Sequence, residues 1–146
     1  MDKIVVRKLR KKDADAVSRI YDSIVKTSEK IDFKRIFEEQ DQQGSGFTAF
    51  VAEIEGTILG YMISYIISGG FGIDKSAWIT MLGVEPKCMG QGIGRSLAKE
   101  ARSLFKARGI NSIYTTVEWD STDMLSFFKT LGFDRSDIIN LHKVIE

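Results

Sequence analysis

Three glycines alternate at positions 90, 92 and 94, between an apolar run and a segment with helical spacing. The first turn of a helix presents unpaired N–H groups and the positive end of the helix dipole, which together bind anions. Glycines let the backbone approach a pyrophosphate without a Cβ in the way, and Arg95 adds a positive charge. The pattern favours a phosphate-binding turn, although a strand–helix turn without a ligand can carry the same glycines.

Two other phosphate motifs do not fit this segment. A dinucleotide fingerprint requires a glycine three residues after Gly92, where this chain has Arg95. A Walker A loop requires Gly-Lys followed by Ser or Thr, and the sequence contains no Gly-Lys pair. The spacing therefore excludes both of these classes of nucleotide site.

Cysteine and histidine each occur once, as Cys88 and His142. A single cysteine cannot form an internal disulfide, which fits a reducing compartment, and we expect a cytoplasmic protein. A nucleophilic Cys88 would need a partner base, and His142 lies in a distant segment where a structural or exposed role is expected. We therefore expect neither covalent cysteine catalysis nor a metal site.

The composition is that of a globular domain: 146 residues, 43% hydrophobic and 28% charged, with a formal net charge of +1. A charge near zero gives no global attraction to nucleic acid or membrane. The basic run from Arg7 to Lys12 is interpreted as a solvated strand end and helix start, with a patch that binds phosphate or nucleic acid as the alternative. No segment reaches the roughly 18–20 apolar residues of a membrane span, and the first residues lack signal-peptide features. We expect no nucleic-acid or membrane partner.

Hydrophobic periodicity places these features on strands and helices. Glu55-Gly56 separates two strand-like runs as a two-residue hairpin turn. Gly109 and Gly132 are expected to end the helices that precede them. Strands are expected over residues 4–9, 47–54, 57–68, 77–84, 113–117 and 140–145, and helices over residues 12–26, 31–39, 92–108 and 122–131.

The order of these elements predicts an α/β fold with a mixed, mostly antiparallel sheet and helices on both faces. Asp13 is expected as a cap or dipole partner of the first helix, and Asp120 or Ser121 as the cap of the last. A further short strand at Phe133, in addition to the last strand, is left open. Because no linker separates the elements, we expect a single domain over residues 1–146.

The segment from Leu82 to Leu97 reads LGVEPKCMGQGIGRSL and resembles the acetyl-CoA signature of the GNAT superfamily of N-acetyltransferases. That signature is an apolar strand ending in Val, then Asp/Glu-Pro, then [Arg/Gln]-x-x-Gly-x-[Gly/Ala]. Residues 50–61 resemble the family's hairpin and residues 126–133 its final helix. The resemblance covers nearly the whole chain with several motifs in order, and it implies the GNAT-like acyl-CoA N-acyltransferase fold.

The resemblance implies acetyl-CoA as a co-substrate, with its pyrophosphate cradled by the glycine-rich turn. It also implies that the strand ending at Val84 splays from its neighbour and pairs with the pantetheine arm through backbone groups. The implied cofactor-binding residues are Leu82, Gly83, Val84, Met89, Gly90, Gln91, Gly92, Ile93, Gly94, Arg95, Ser121 and Phe128.

Three residues depart from the family pattern. Met89 stands where the signature has Arg or Gln, although that position also contributes a backbone N–H. Trp78 stands where several members carry a catalytic Glu on the strand. Phe128 replaces a frequent Tyr whose hydroxyl protonates the leaving thiolate. Apart from these three, the resemblance places Ser121 at a frequent Asn position near the cofactor. Because of these departures, the family's mechanism carries over to this chain less directly than its fold or its cofactor.

Acetyl transfer to an amine requires that the amine lose its proton, since a free lysine has a pKa of about 10.4. In the subgroup that acetylates protein N-termini, a base sits near the position of Thr116. Glu118 lies two residues further and shares a strand face with Thr116 if the strand extends that far. Glu118 is therefore the candidate catalytic base, acting directly or through water, and an exposed strand-end carboxylate is the alternative.

The remaining needs of the reaction are donors for the oxyanion and departure of the thiolate. A backbone N–H near Leu82 or Val84 would serve the oxyanion. Ser121 is the second catalytic candidate, as a proton donor, with unassisted departure of the thiolate as the default. Tyr61 and Tyr65 share one strand face and are candidates to line an acceptor pocket, with simple packing as the alternative.

The expected function is an N-acetyltransferase that moves acetyl from acetyl-CoA to a primary amine by direct attack in a ternary complex. The alternative is a catalytically weak or inactive acyl-CoA-binding sensor or scaffold, suggested by Phe128 and Trp78. A protein N-terminus, a lysine and a small amine all remain as acceptors, selected by the first two helices and the loop from Ser68 to Lys75. A homodimer is a further expectation.

Overall fold

The computed structural model describes residues 3–25, 30–40, 46–68 and 74–146, in two compact units, Met1–Thr116 and Val117–Glu146. The second unit contains helix α4 (Thr122–Thr130). No helix in the described ranges is long and apolar enough to cross a membrane. The first unit contains strands β1 (Ile4–Lys8), β2 (Phe47–Ile54), β3 (Thr57–Ile67), β4 (Ser76–Val84) and β5 (Ile113–Thr115), and helices α1 (Ala14–Ile24), α2 (Phe33–Gln40) and α3 (Ile93–Ala107).

The five strands form one sheet in the order β1-β2-β3-β4-β5. The pairs from β1 to β4 are antiparallel, and β5 runs parallel to β4. The parallel pair follows from the crossover through α3, which returns the chain to the starting end of β4. Helices pack on both faces, so the predicted fold class is confirmed.

The hairpin between β2 and β3 forms as expected. Glu55 has φ 51° and Gly56 φ 81°, so both turn residues occupy the left-handed region. Two positive φ values give a two-residue turn whose twist matches that of the flanking strands. Gly109 (φ 76°) and Gly132 (φ 91°) likewise end α3 and α4 at the expected positions.

One face of the sheet is covered by α1 and α2. Val17, Ile20 and Phe33 are buried in a core that includes Val51 and Tyr61 from the strands. Tyr65 packs against the edge of the same core, which confirms that Tyr61 and Tyr65 share a face. Phe33 contacts Tyr61 edge-on with ring centroids 6.2 Å apart. This face therefore holds most of the aromatic packing of the first unit.

The opposite face is covered by α3. Ile93, Leu97, Ala101 and Phe105 recur at helical spacing and are all buried. Gly60 allows the helix to approach, because a Cβ at this position would come 2.6 Å from Ile93 Cγ2. The glycine therefore sets how closely the start of α3 packs on β3.

The start of the chain corrects the interpretation of the basic run at one residue, while its other four basic residues are exposed as expected. Arg7 is not part of a solvated basic run: its guanidinium donates hydrogen bonds of 2.8 and 2.9 Å to Asp13 and one of 3.2 Å to Glu53. Asp13 is buried, and its carboxylate also accepts the Arg10 N–H at 2.7 Å. The carboxylate thus caps the short 3-10 turn before α1, rather than α1 itself.

The expected last strand is wrong. Residues 133–146 contain neither a helix nor a strand, so the further short strand at Phe133 is absent as well. Leu141, Val144 and Ile145 are exposed. β-branched residues favour a strand only when a neighbouring strand supplies hydrogen bonds and packing, and residues 140–145 have no such partner in the described structure.

Candidate functional site

The pairing of β4 with its two neighbouring strands changes along its length. β4 pairs with β3 from Ser76 to Val84, but it pairs with β5 only from Ala77 to Ile79. Thr115 Oγ1 donates a 3.0 Å hydrogen bond to the Ile79 carbonyl at the last paired position. We call this point, where the two strands part, the fork. Residues 80–84 then form an open edge of β4, since no described strand pairs with that side.

The open edge contains the three expected strand residues. Leu82 lies opposite Met62, and Gly83 lies opposite Tyr61. Beyond Val84 the chain remains fixed to β3, because the Glu85 N–H donates a 2.8 Å hydrogen bond to the Leu59 carbonyl. The edge is thus held rigidly on its β3 side while its other side is available.

The glycine-rich turn follows a 3-10 turn at Pro86–Cys88. Gly90 has φ 85° and Gly92 φ 87°, a region that residues with a Cβ rarely adopt. A Cβ built on either glycine meets no atom within 4 Å, so both positions border open space. Met89 and Gln91 are exposed on the same turn. The glycines are therefore required by conformation, and the space beside them can admit a ligand.

The N-terminus of α3 faces this turn. The first helical bond runs from the Ser96 N–H to the Gly92 carbonyl at 2.9 Å, so the N–H groups of Ile93, Gly94 and Arg95 have no partner within the helix. The first turn contains no acidic residue, and Arg95 is exposed. Together with the dipole of a 15-residue helix, these groups fit a pyrophosphate.

The catalytic candidates Glu118 and Ser121 belong to the second unit. β5 ends at Thr115, so the expectation that one strand face carries both Thr116 and Glu118 is wrong. The chain turns instead, with the Ser121 N–H donating 3.0 Å to the Glu118 carbonyl, and the Glu118 side chain is exposed. The loss of strand pairing after the fork ends the regular alternation of side chains.

Ser121 precedes α4, and Phe128 lies in the last turn of that helix. Ser121 occupies the N-cap position of α4, but its side chain makes no capping hydrogen bond. Its hydroxyl is therefore not committed to the helix start. Phe128 is buried and contacts Phe127 and Phe133 edge-on, with centroids 5.3 and 5.1 Å away. Its ring helps to pack the second unit, and phenylalanine has no hydroxyl group that could donate a proton.

A stacked aromatic pair stands at the fork. The rings of Trp78 and Tyr114 lie 4.7 Å apart and nearly parallel, at 19°. Trp78 Nε1 donates a 3.0 Å hydrogen bond to Ser76 Oγ. Sequence reasoning did not single out Tyr114, although its position opposite Trp78 follows once β5 is paired in parallel with β4.

Three other sequence candidates are also placed. Cys88 is half-buried in the 3-10 turn, and His142 is exposed and lies in the second unit. Residues 69–73 of the loop expected to select the acceptor lie outside the described residues. Among the described residues, no group of three or more His, Cys, Asp and Glu side chains is arranged to hold a metal ion.

Comparison with known proteins matches this architecture to one family. The model of the acetyltransferase (GNAT) family matches residues 14–133. Among curated proteins, the mycothiol acetyltransferase of Renibacterium salmoninarum is 29% identical over 106 residues, which is 73% of this chain and 31% of that protein. The chain thus spans about a third of the length of that relative.

Solved structures show the same fold at low sequence identity. Aminoglycoside N-acetyltransferase AAC(6')-Iy, in complex with CoA, superposes with a TM-score of 0.84 at 14% identity, covering 99% of this chain and 96% of that one. An aminoglycoside acetyltransferase from an uncultured soil metagenomic sample, in complex with trehalose, gives a TM-score of 0.81 at 17% identity, covering 98% and 97%. With a family match over most of its length and this shared fold, the chain belongs to the acetyltransferase (GNAT) family.

Proposed function

We propose that this chain is an N-acetyltransferase that moves acetyl from acetyl-CoA to a primary amine by direct attack in a ternary complex. The observation that carries the proposal is the continuity of the open edge of β4 with the glycine turn at Gly90 and Gly92 and the N-terminus of α3. Family membership supports the acetyl transfer, and this arrangement offers an open strand edge and unpaired N–H groups of the kinds that acetyl-CoA would bind.

The binding roles follow from the chemistry of each group. The N–H groups of Ile93, Gly94 and Arg95, with the backbone of Met89 to Gly92, are proposed to hold the pyrophosphate. The backbone of Leu82, Gly83 and Val84 is proposed to pair with the amide groups of the pantetheine arm, as another strand would. Ser121 and Phe128 are proposed as further contacts with the cofactor.

Bound acetyl-CoA supplies an activated acetyl group as a thioester. An ammonium ion has no lone pair, so the acceptor must lose a proton before it can attack. We assign that proton to the Glu118 carboxylate, directly or through water. A backbone N–H at Leu82 or Val84 is proposed to donate to the oxygen that gains negative charge. Ser121 is the candidate donor to the leaving sulfur, which can also depart without help because a thiol has a pKa of about 8.5.

The organisation of the whole chain is part of the same proposal. We propose a single domain over residues 1–146, supported by a family match that runs through residues of both compact units. We also propose a cytoplasmic protein that partners acetyl-CoA and an amine, with a homodimer as its assembly. The names of the relatives suggest a small amine as the acceptor, beside a protein N-terminus or a lysine.

The alternative is an acyl-CoA sensor or scaffold with little or no turnover. It is favoured by one specific observation: Phe128 is buried among rings and has no hydroxyl to protonate a thiolate. Such a protein would bind acetyl-CoA through the same turn and release no free thiol.

Release of the CoA thiol separates the two functions. The purified protein is incubated with acetyl-CoA and a panel of primary amines, and free thiol is followed with a chromogenic disulfide. We expect thiol release that depends on both the amine and the protein, with the acetylated amine found by mass spectrometry. Saturable binding of acetyl-CoA without release for any amine would favour the sensor.

A further inference from the structure

The fork is where an acceptor must meet the acetyl group if the proposed function holds. At about 3.3 Å per residue, the open edge from Val84 back to Thr80 spans roughly 13 Å. An arm that starts at the glycine turn and follows this edge ends at the fork. The side chains at the fork are therefore the first candidates to touch the acceptor.

Four aromatic side chains cross the sheet at this level, one from each of four neighbouring strands. Phe47 contacts Tyr65 edge-on at 5.6 Å, and Tyr65 lies opposite Trp78 in the register of β3 and β4. Trp78 in turn stacks on Tyr114. We call Phe47, Tyr65, Trp78 and Tyr114 the aromatic row. All four residues are half-buried rather than fully buried, and the Phe47 ring also packs on Phe37 of α2 with centroids 6.1 Å apart.

The row is held in place rather than free to collapse. Ser76 is buried, and its hydroxyl accepts the hydrogen bond from the Trp78 indole, which fixes the edge of that ring. Burial raises the pKa of the Tyr65 hydroxyl, as expected for a side chain that lies in apolar surroundings. A row of oriented rings is a preformed surface for a flat partner, because stacking then costs little ordering.

The charges around the row restrict what can bind. β3, β4 and β5 contain no charged residue, and Glu53, the charged residue of β2, is paired with Arg7. These strands therefore offer no counter-charge to a polyamine or to a basic peptide. They offer a neutral aromatic surface beside the place where one amine must be deprotonated.

We propose that the aromatic row binds a ring carried by the acceptor, so that the substrate is a primary amine joined by a short linker to a flat ring. The ring stacks on the face of Trp78 that points away from Tyr114, while Tyr114 supports Trp78 from the other side. Tyr65 contacts the edge of the ring, and the amine points along the fork toward the open edge of β4. This proposal rests on the proposed function for the identity of the reaction, but the ring-binding surface is tested independently of turnover.

The experiment compares ring-bearing with linear amines in binding and in acetylation. 2-Phenylethylamine and tryptamine carry an aromatic ring, glucosamine carries a sugar ring, and butylamine and spermidine are linear. Binding to the protein is measured by calorimetry, with and without CoA, and acetylation by thiol release. We expect 2-phenylethylamine and tryptamine to bind more tightly than butylamine and spermidine. Glucosamine, whose ring is not flat and carries the amine directly, should bind no better than butylamine, and tight binding of glucosamine would overturn the flat-ring proposal.

Paired variants test whether the row causes this preference. Tyr114→Leu removes the ring, whereas Tyr114→Phe keeps it and serves as the matched control. From the worth of an aromatic pair, Tyr114→Leu should weaken ring-amine binding roughly three- to tenfold, while Tyr114→Phe should leave it nearly unchanged. Tyr65→Leu and Tyr65→Phe repeat the comparison from β3 in case one variant does not fold, and acetyl-CoA affinity should not change in any of them.

The possible outcomes distinguish failure of the ring-binding proposal from failure of the proposed acetyl transfer. Ring amines that bind through the row without any thiol release would support the row and count against the proposed function. Linear amines that bind as tightly as ring amines, or Leu and Phe variants that behave alike, would overturn the role of the row even if acetylation occurs.

Discussion

The ring of Tyr61 lies against the backbone of Gly83, its partner in the register of β3 and β4. A Cβ built on Gly83 would come within 2.5 Å of Tyr61 Cε1 and 2.9 Å of Cζ. Tyr61 is buried against Phe33 and the α1–α2 core, so its ring has no room to move away. The glycine in the middle of the proposed cofactor edge is therefore also a packing requirement.

Substitution of Gly83 by Ala tests this contact. Because the extra methyl group overlaps a buried ring, we expect Gly83→Ala to lower the free energy of unfolding by about 1–3 kcal/mol. Urea unfolding measures the change. In a Tyr61→Leu background the ring is gone, so the added cost of Gly83→Ala should shrink; an equal cost in both backgrounds would contradict the contact.

Gly60 links the sheet to the start of α3. Since a Cβ there would approach Ile93 Cγ2 to 2.6 Å and Leu97 Cδ1 to 3.2 Å, Gly60→Ala should push the first turn of α3 from the sheet. We expect lower stability and weaker acetyl-CoA binding, because the N–H groups of that turn are proposed to hold the pyrophosphate. Adding Ile93→Ala should relieve the overlap. If folded Gly60→Ala binds acetyl-CoA with unchanged affinity, the packing of α3 against Gly60 does not determine the geometry of the proposed site.

The Arg7–Asp13 pair gives a pH dependence. Burial alone would raise the pKa of Asp13, but hydrogen bonds from the Arg7 side chain and the Arg10 N–H lower it overall. A lowered pKa in the folded state stabilises the protein above the unfolded value of about 3.9, and this stabilisation is lost as pH falls through the folded pKa.

Removing the Asp13 carboxylate should therefore lower the free energy of unfolding most at neutral pH. We expect Asp13→Ala to lose about 3 kcal/mol of unfolding free energy at pH 7, because it leaves Arg7 half-buried without its main partner. The difference from the unsubstituted protein should narrow below pH 4. Glu38→Ala, which breaks the exposed pair with Lys11, is the control and should cost under about 1 kcal/mol. A penalty for Asp13→Ala that is independent of pH would contradict this assignment.

The turnover of a variant that lacks the Glu118 carboxylate tests whether Glu118 is the base. If its carboxylate accepts the amine proton, Glu118→Gln should lower kcat roughly 10²-fold or more while acetyl-CoA binding is retained. Asp120→Asn removes a carboxylate two residues away and should leave kcat nearly unchanged. Equal rates for the two variants would remove Glu118 from the mechanism.

Features set by local backbone chemistry could be predicted from the sequence. The hairpin at Glu55-Gly56 and the helix ends at Gly109 and Gly132 each need a particular residue at one position. Hydrophobic alternation also placed Tyr61 and Tyr65 on one face, because strand geometry alone determines this.

Features set by contacts between distant residues could not be predicted. The Arg7 guanidinium binds Glu53 across 46 positions of sequence, which makes a residue that looks solvated part of a half-buried network. β5 ends at Thr115, where its pairing with β4 stops, and no local signal in the sequence marks that point. The Trp78–Tyr114 stack depends on the parallel register, which follows only from the assembled sheet.

Calorimetric titration with acetyl-CoA tests the proposed site most directly, using Gly92→Ala and Gly109→Ala as a matched pair. These glycines lie at opposite ends of α3, have φ 87° and 76°, and meet no atom within 4 Å of a Cβ. Each alanine should cost about 1–2 kcal/mol of stability through the same backbone strain. We predict saturable acetyl-CoA binding, weakened tenfold or more by Gly92→Ala and unchanged by Gly109→Ala, where tenfold is about 1.4 kcal/mol. Absence of binding at millimolar acetyl-CoA, or equal weakening by both variants, would contradict the assignment of this turn.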